Sequence, residues 1–420
     1  MITFAIVLFA AFVLMSAGQL VLAWIYTRRF RNYRLPEVAD ETLPKAAVIL
    51  CLRGADPFLE DCLERLARQN YPRFSIRIVL DGPDDPARRR VDRWVAKYRG
   101  LPVSVEFLKD PFATCTLYCS SIHQAVRGLD DSIEAIAFIN ADTMVHPMWL
   151  RALMTPLLDS RIGAVTGNRW YMPVAGRMGS LVRYVQNATA VLVMYFLDLI
   201  WGGSLALKRQ VFGHPRFLEK LRVSSCEDCA VHTVLKATGL RLSFSPAVMM
   251  VNREECGVGN AFRFIRRQMV WTRLYHAGWT SVVRATVSAA AVILAATATF
   301  WTAVALGWWA VAGWILGGTI VCILANLVMV AMLHHTIARR VAQEQSEPMD
   351  WFHLSAFLRL LLALPVSFFV YLGAVLSASV IRRIDWRGVL YQVIPPTGVR
   401  LIEYRKFQQA DARMKAGMSI

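Results

Sequence analysis

The sequence predicts an α/β domain with a Rossmann-like, mostly parallel sheet, attached to an α-helical transmembrane region. Three observations predict it. Apolar strand-like runs alternate with amphipathic stretches between residues 45 and 250, the pattern of a parallel sheet with crossover helices. Apolar runs of bilayer-crossing length flank that domain, at Thr3–Tyr26 before it and at 284–333 and 354–380 after it. The 420 residues are 56% apolar and their mean hydropathy is +0.40. That is too apolar for an ordinary soluble protein and too polar for a pure transporter.

The net charge is +17, and its distribution decides what it means. Basic residues gather beside apolar runs: Arg28, Arg29, Arg31 and Arg34; Arg263, Arg266 and Arg267; Arg339 and Arg340; Arg382 and Arg383. Nucleic-acid binding would instead need a basic, aromatic groove in the soluble part, so no nucleic acid is expected as a partner. Juxtamembrane arginines mark the cytoplasmic side and attract anionic headgroups. No basic residue precedes the first apolar run and four follow it, the reverse of a signal peptide. Six segments are expected: a transmembrane helix (1–26), a basic linker (27–44), the α/β domain (45–250), interfacial helices (251–283), transmembrane or re-entrant helices (284–380) and a basic tail (381–420). The expected setting is a bacterial inner membrane, with the α/β domain cytoplasmic.

Within the α/β domain, Ala46–Leu52 is the first strand. Asp56–Gln69 follows as an amphipathic helix, with Asp56 as N-cap and Pro57 in the first turn. Ser75–Leu80 is a second strand ending at Asp81. Asp85–Tyr98 is a helix with Pro86 placed early. Val103–Leu108 is a third strand, Ser120–Arg127 a helix, and Ala135–Ile139 a fourth strand ending at Asn140. Ligands bind at the carboxyl ends of such strands, so the Asp81 and Asn140–Asp142 loops belong to the expected site. Ser180–Leu207 mixes apolar residues with Arg183, Gln186, Asn187 and Asp198. It is either a core helix or a helix lying on the membrane face. Residues 284–333 hold two spans with a break near Gly307 or Gly313. The run 354–380 contains Arg359 and Pro365. A third full crossing there would put Arg382, Arg383 and Arg387 outside, against the charge rule. A re-entrant hairpin or interfacial helix around Pro365 is expected instead.

The eight cysteines include Cys226-Glu-Asp-Cys229 and the nearby Cys115 and Cys119. Zinc or redox chemistry is one reading. The carboxylates inside the Cys-x-x-Cys and the lack of a second ligand pair favour small buried thiols.

Four motifs carry candidate chemistry. Asp142 closes the loop Asn140-Ala-Asp142, where a carboxylate can hold Mg²⁺ or Mn²⁺ or cap the next helix. Asp81, before Gly82-Pro83, is a turn residue or an acceptor for a nucleobase. Asp84 or Asp85 can cap the helix that follows. Glu227-Asp228 opens a helix ending at Gly239; the pair either stabilises the helix start or supplies a general base, Asp228, with Glu227 as a like-charged neighbour. Gly202 and Gly203 allow close backbone approach to a donor or acceptor, or form a bulge. Arg263, Arg266, Arg267 and Arg273 surround Trp271; they hold a diphosphate beside an acceptor pocket, or form an interfacial anchor belt.

Together these residues resemble the ceramide glucosyltransferase family, membrane-bound relatives of the family-2 inverting glycosyltransferases with a GT-A fold. The resemblance rests on Leu52-Arg-Gly-Ala-Asp56, Asn70-Tyr-Pro72, Asp84-Asp-Pro-Ala87, Asn140-Ala-Asp142, Gly203-Ser204 with Lys208-Arg209, Glu227-Asp228, Trp271-Thr-Arg-Leu274 and Trp386-Arg387-Gly388 with Tyr391. It implies transfer of a hexose, glucose in the family, from UDP-sugar to a membrane lipid hydroxyl at the cytoplasmic face, with Mg²⁺ or Mn²⁺. By the same resemblance Asp81, Asp84, Asn140, Gly203, Arg267 and Trp271 serve the nucleotide sugar, Asp142 the metal, and Asp228 with Glu227 the catalysis. The chain departs from the family pattern at three places. Asn140 stands for the first aspartate of the metal motif, Val270 for the arginine before Trp271, and Leu117-Tyr118-Cys119 for a loop expected to hold a lysine. Arg266 and Arg273 are the neighbours available to replace the missing arginine.

Two other functions compete. A processive polysaccharide synthase needs more spans to build a channel and an intact Arg-Trp pair. A catalytically silent nucleotide- or lipid-binding membrane protein would account for the three departures.

Overall fold

The computed structural model describes residues 1–345, 349, 354–404 and 407. Its α/β domain follows the alternation in the sequence. The strands β1 (Ala46–Leu52), β2 (Phe74–Leu80), β3 (Val103–Phe107) and β4 (Ala135–Ile139) alternate with helices α2 (Leu59–Ala67), α3 (Pro86–Lys97) and α4 (Leu117–Arg127), after the N-terminal helix α1 (Ile2–Asn32). β1 pairs in parallel with both β2 and β4, and β2 with β3. Buried Ala, Val, Ile and Leu fill β1 and β4 on both faces, as crossover helices on either side require.

The rest of the sheet comes from α5 (Trp149–Met154), β5 (Ile162–Tyr171), α6 (Met178–Phe196), β6 (Ser204–Lys208), α7 (Arg209–Phe212), α8 (Pro215–Leu221), α9 (Glu227–Thr238) and β7 (Arg241–Asn252). The sheet order is β3-β2-β1-β4-β6-β5-β7. Only β6 is reversed, antiparallel to both β4 and β5, while β5 and β7 run parallel. The sheet is therefore mostly parallel, with one antiparallel insertion beside β4.

Local signals explain where the helices begin. Asp85 caps α3 by accepting from Ala87 N, with Pro86 at the first position. Thr116 caps α4 by accepting from Cys119 N, which starts that helix earlier than Ser120 and puts Tyr118 in its first turn. Gly239, at φ 68°, ends α9 in the left-handed region. Asp56 is not the N-cap of α2. Its Oδ1 accepts from Phe58 N at 3.0 Å and its Oδ2 lies 3.3 Å from Arg387, so this buried carboxylate serves a long-range contact.

Four helices are long and apolar enough to cross a membrane: α1, α11 (Trp279–Ala305), α12 (Trp309–Gln345) and residues 357–380 of α13 (Leu354–Val380). The break between α11 and α12 falls at Gly307, whose φ is 69°. α1 packs along α12: Gln19 donates to Asn326 at 3.1 Å, and Gly318 leaves space for the Phe12 ring. Leu14, Leu294, Trp301, Trp309 and Leu324 point outward, a surface suited to lipid.

α13 runs as one helix through Pro365, so the expected re-entrant hairpin is not formed. Arg340 and Gln345 at the end of α12 donate to Phe30 O and Met249 O. Arg359 in the first turns of α13 donates to Ala175 O, Gln186 of α6 donates to Ser367 at its middle, and Arg273 donates to Ala378 O and Ile381 O at its end. Both ends of α13 therefore adjoin the α/β domain. It lies along that domain with α6 and with α10 (Val258–Tyr275).

α6 is a core helix over most of its length. Leu181, Val182, Tyr184, Val185 and Val191 are buried, while Val193 and Leu197 at its end are exposed. Residues 381–404 are more than a basic tail. They form a second antiparallel sheet of β8 (Arg383–Trp386), β9 (Val389–Ile394) and β10 (Gly398–Glu403). Buried Ile384, Val389, Tyr391, Val393 and Val399 join it to the core of the α/β domain.

Candidate active site

The site assembles at the carboxyl ends of β1, β2 and β4. Asp81 directly follows β2 and is buried. Its carboxylate pairs with Arg53, which follows β1, and accepts from the Tyr404 hydroxyl at 3.0 Å. Arg53 Nε donates to Arg387 O at 3.0 Å, and Arg387 donates back to Arg53 O at 3.1 Å. Arg387 and Gly388 make the β8–β9 turn with φ of 51° and 72°; the glycine meets this left-handed turn without strain. Burial pushes the Asp56 carboxyl up to about 6, against the opposing pull of Arg387. Asp84 is exposed in the turn after β2, and Asp85 is the residue that caps α3.

Asn140 and Asp142 follow β4. Asp142 Oδ2 lies 3.6 Å from Arg169 and 3.4 Å from the Asn252 amide nitrogen that donates to it. Arg169 comes from β5 and lies against Tyr171, Trp201 and Phe264. On α10, Arg267 stacks over Phe264 and Trp386. Burial first, then the charge of Arg169, pulls Arg267 down to about 10, with Arg387 acting the same way and Asp142 opposing. Three guanidinium groups thus share one region with Asp142. Close-packed cations of this kind favour a bound polyanion.

Glu227 and Asp228 open α9. Glu227 is buried, and the Tyr118 hydroxyl lies 3.4 Å from its Oε1 and 3.5 Å from Asn140 Oδ1. Burial, then the Asp228 charge, pushes Glu227 up to about 8. Glu227 therefore keeps its proton to higher pH than an ordinary glutamate. Asp228 is half-buried, and its Oδ1 accepts from Cys229 N at 2.9 Å. The Cys229 thiol is a second hydrogen-bond partner of the same carboxylate.

The glycines before β6 serve this network. A Cβ on Gly202 would lie 1.4 Å from Glu227 Oε1, and one on Gly203 would lie 2.4 Å from the Trp201 ring and 2.9 Å from the Asn140 amide. Trp271 and Tyr118 both meet Trp386, with ring centroids 6.1 Å and 6.3 Å away. Trp386 thereby links α10, α4 and the C-terminal sheet.

The structure connects most of the expected residues. Asp81 and Asp56 join through Arg53 and Arg387, and Asp56 feels the charge of Asp142. Asn140, Tyr118 and Glu227 form a second chain of contacts, and Arg267 and Trp271 border both. Arg266 and Arg273 do not replace the missing arginine. Arg266 stacks on Phe262, and Arg273 binds the end of α13. Arg169 and Arg387 occupy the region instead. Arg169 had one sequence signal, a cation followed by Trp170-Tyr171 in an otherwise buried strand. Arg53 stood in the motif Leu52-Arg-Gly-Ala-Asp56 with no role assigned to it, and Tyr404 had no signal.

A hard divalent cation suits Asp142 in one way only. With Asn140 in the loop, Asp142 is its single carboxylate, so phosphate oxygens and water must complete the shell. Mg²⁺ commonly binds in that manner. The His, Cys, Asp and Glu cluster of metal-binding geometry among the described residues lies elsewhere, at Cys226, Asp228 and Cys229.

Residues 6–398 match the family described as glycosyl transferase family 21. A segment of 78 residues is 35% identical to a ceramide glucosyltransferase of Candida albicans, covering 18% of this chain and 14% of that protein. Among solved structures, the mannosyltransferase PcManGT from Pyrobaculum calidifontis, in complex with GDP-Man and Mn²⁺, aligns with a TM-score of 0.46 at 16% identity. That alignment covers 90% of this chain and 98% of the other. Glucosyl-3-phosphoglycerate synthase from Mycobacterium tuberculosis, in complex with Mn²⁺, UDP and phosphoglyceric acid, aligns with a TM-score of 0.36 at 14% identity, over 58% of this chain and 82% of the other.

Proposed function

The chain belongs to glycosyl transferase family 21 and is a glycosyltransferase; we propose that it moves a hexose, glucose in first place, from a UDP-sugar to a membrane lipid hydroxyl, ceramide or a similar lipid. One observation carries this reading. Arg169, Arg267 and Arg387 gather around Asp142, beside helices that pack under the membrane-spanning part. A diphosphate belongs among those cations, and the acceptor reaches them from the bilayer.

Each residue then has a task. Asp81, at the end of β2, accepts from the nucleobase, with Arg53 and Tyr404 framing the same pocket. Arg169, Arg267 and Arg387 bind the diphosphate and orient it for in-line displacement. Asp142 would hold Mg²⁺ or Mn²⁺, which neutralises the departing diphosphate when bound. Asp228, half-buried at the start of α9, takes the proton of the acceptor hydroxyl. The buried Glu227 anchors the start of α9 through Tyr118 and Asn140. Trp271 and Trp386 wall the acceptor side.

Silent binding is the second reading, favoured by Asn140, which leaves Asp142 alone as the loop's carboxylate. Purified protein incubated with UDP-sugars, Mg²⁺ or Mn²⁺ and a lipid panel separates the two. The proposal expects UDP release matched by a glycolipid of single sugar addition. UDP binding without product from any lipid favours the silent protein, and a long polymer favours a synthase. Asp142→Ala should lower metal-stimulated turnover by about 10²-fold or more, as loss of charge stabilisation at a leaving group does. Unchanged metal dependence would remove Asp142 from this role.

A further inference from the structure

At the start of α9, Cys226, Asp228 and Cys229 each present one ligand atom, all within 4.8 Å of one another. We propose that these three side chains form an inhibitory site for a thiophilic divalent cation of the Zn²⁺ class, which when filled takes the carboxylate of Asp228 out of use. The inhibitory part rests on the reading of Asp228 as base; the binding site does not.

The spacing suits a cation held between the sulfurs. Cys226 and Cys229 Sγ are 3.7 Å apart. Two thiolates at about 2.3 Å from a tetrahedral Zn²⁺ stand roughly 3.8 Å apart. The fold holds the thiols in that arrangement. Cys226 is the N-cap of α9, yet its side chain makes no capping hydrogen bond, and Cys229 sits in the first turn three residues on. Both are half-buried, so a small ion can enter from solvent.

The hydrogen bond to Cys229, burial and the Asp228 charge push the Cys226 thiol up, and burial and Asp228 push Cys229 up against its hydrogen bond from Cys226; a divalent cation at the N-terminus of α9 supplies the positive charge that draws off both protons. Two thiolates, one carboxylate and a divalent cation sum to a single negative charge, which that terminus favours. Soft sulfur ligands select Zn²⁺ over the Mg²⁺ or Mn²⁺ suited to Asp142, so the two sites take different ions. Three protein ligands leave the fourth corner to water. Filling the site releases the two thiol protons to solvent and engages the Asp228 oxygen that would otherwise take a proton from the acceptor.

The test uses the full-length protein in detergent with its thiols kept reduced. Co²⁺ titration should give a thiolate charge-transfer band that saturates at about one equivalent and is lost in both Cys226→Ser and Cys229→Ser. Zn²⁺ added over saturating Mg²⁺ should suppress wild-type turnover about tenfold or more, reversibly on chelation, and spare Cys229→Ser. No thiolate band, or a band kept in both serine variants, overturns the site. A band lost in both variants, with turnover indifferent to Zn²⁺, upholds the site and overturns its inhibitory role, and places the failure in the assignment of Asp228 as base. Thermal denaturation of each variant confirms that loss of the band is not loss of fold.

Discussion

At the scale of single residues, the least expected partner is Tyr118. It stands where the family pattern expects a lysine, and its hydroxyl sits between Glu227 and Asn140. Tyr118 and Asn140 carry no charge at pH 7, and burial favours the protonated form of Glu227. A neutral trio at this position avoids the cost of burying an ion. The consequence is a pH-dependent stability of known sign. Between the ordinary glutamate range and about 8, the unfolded chain has released a proton that the folded chain still holds, so stability falls with rising pH and levels off above 8. Glu227→Gln has no such proton. Its melting temperature relative to wild type should rise between about pH 5 and about pH 8.5; a constant difference would show that Glu227 is not held neutral. The carboxylates were legible as candidates because aspartates after apolar strands are rare and positioned. Arg169 and Arg53 were far less so, since nothing in a lone arginine says which distant loop it will meet.

At the scale of elements, caps and breakers made some boundaries readable. Asp85-Pro86 starts α3, Gly239 ends α9, and Gly307 separates α11 from α12. β5 and β7 lack that punctuation. Ile162–Tyr171 carries Asn168 and Arg169 inside a strand, and β7 is twelve residues long with Pro246 within it, so neither shows clean alternation. The C-terminal sheet was hidden for another reason. Its arginines and short apolar triplets resemble a solvated tail until Tyr391, Trp386 and Arg387 find their partners in the α/β domain. That sheet closes the nucleotide side of the site, which yields a prediction. Arg387→Ala leaves the Asp56 carboxylate buried without its ion pair. It should destabilise the fold by roughly 3 kcal/mol, as removal of one partner of a buried pair does. It should also raise the KM for the donor more than it lowers kcat. Donor titration of steady-state rates checks this. A fall in kcat alone would place Arg387 outside donor binding.

At the scale of the whole molecule, the return of α13 to the α/β domain bears on how many times the chain crosses the bilayer. We propose that α1, α11 and α12 are the crossings and that α13, with α10 and α6, lies along the α/β domain at the lipid face. The charge pattern carries the same expectation, because arginines follow α13 as they follow α1. The helical conformation through Pro365 was not legible, since proline is the usual sign of a break. In sealed vesicles, trypsin on one face should cut both at exposed Arg89 in the domain and at exposed Arg400 in the C-terminal sheet; cutting of the two from opposite faces would mean that α13 crosses. On the proposed reading, the domain, the C-terminal sheet and these helices frame one cleft between the Asp81 and Asp142 loops and the membrane. The most direct test of that cleft as a transfer site is lipid product formation by wild type and Asp228→Asn from labelled UDP-glucose with Mg²⁺. Wild type should label a lipid with a single hexose, and the variant should bind UDP as tightly while forming product about 10²–10⁴-fold more slowly, the usual loss with a general base. Equal product from both proteins, or no lipid product from wild type with any acceptor, would contradict it.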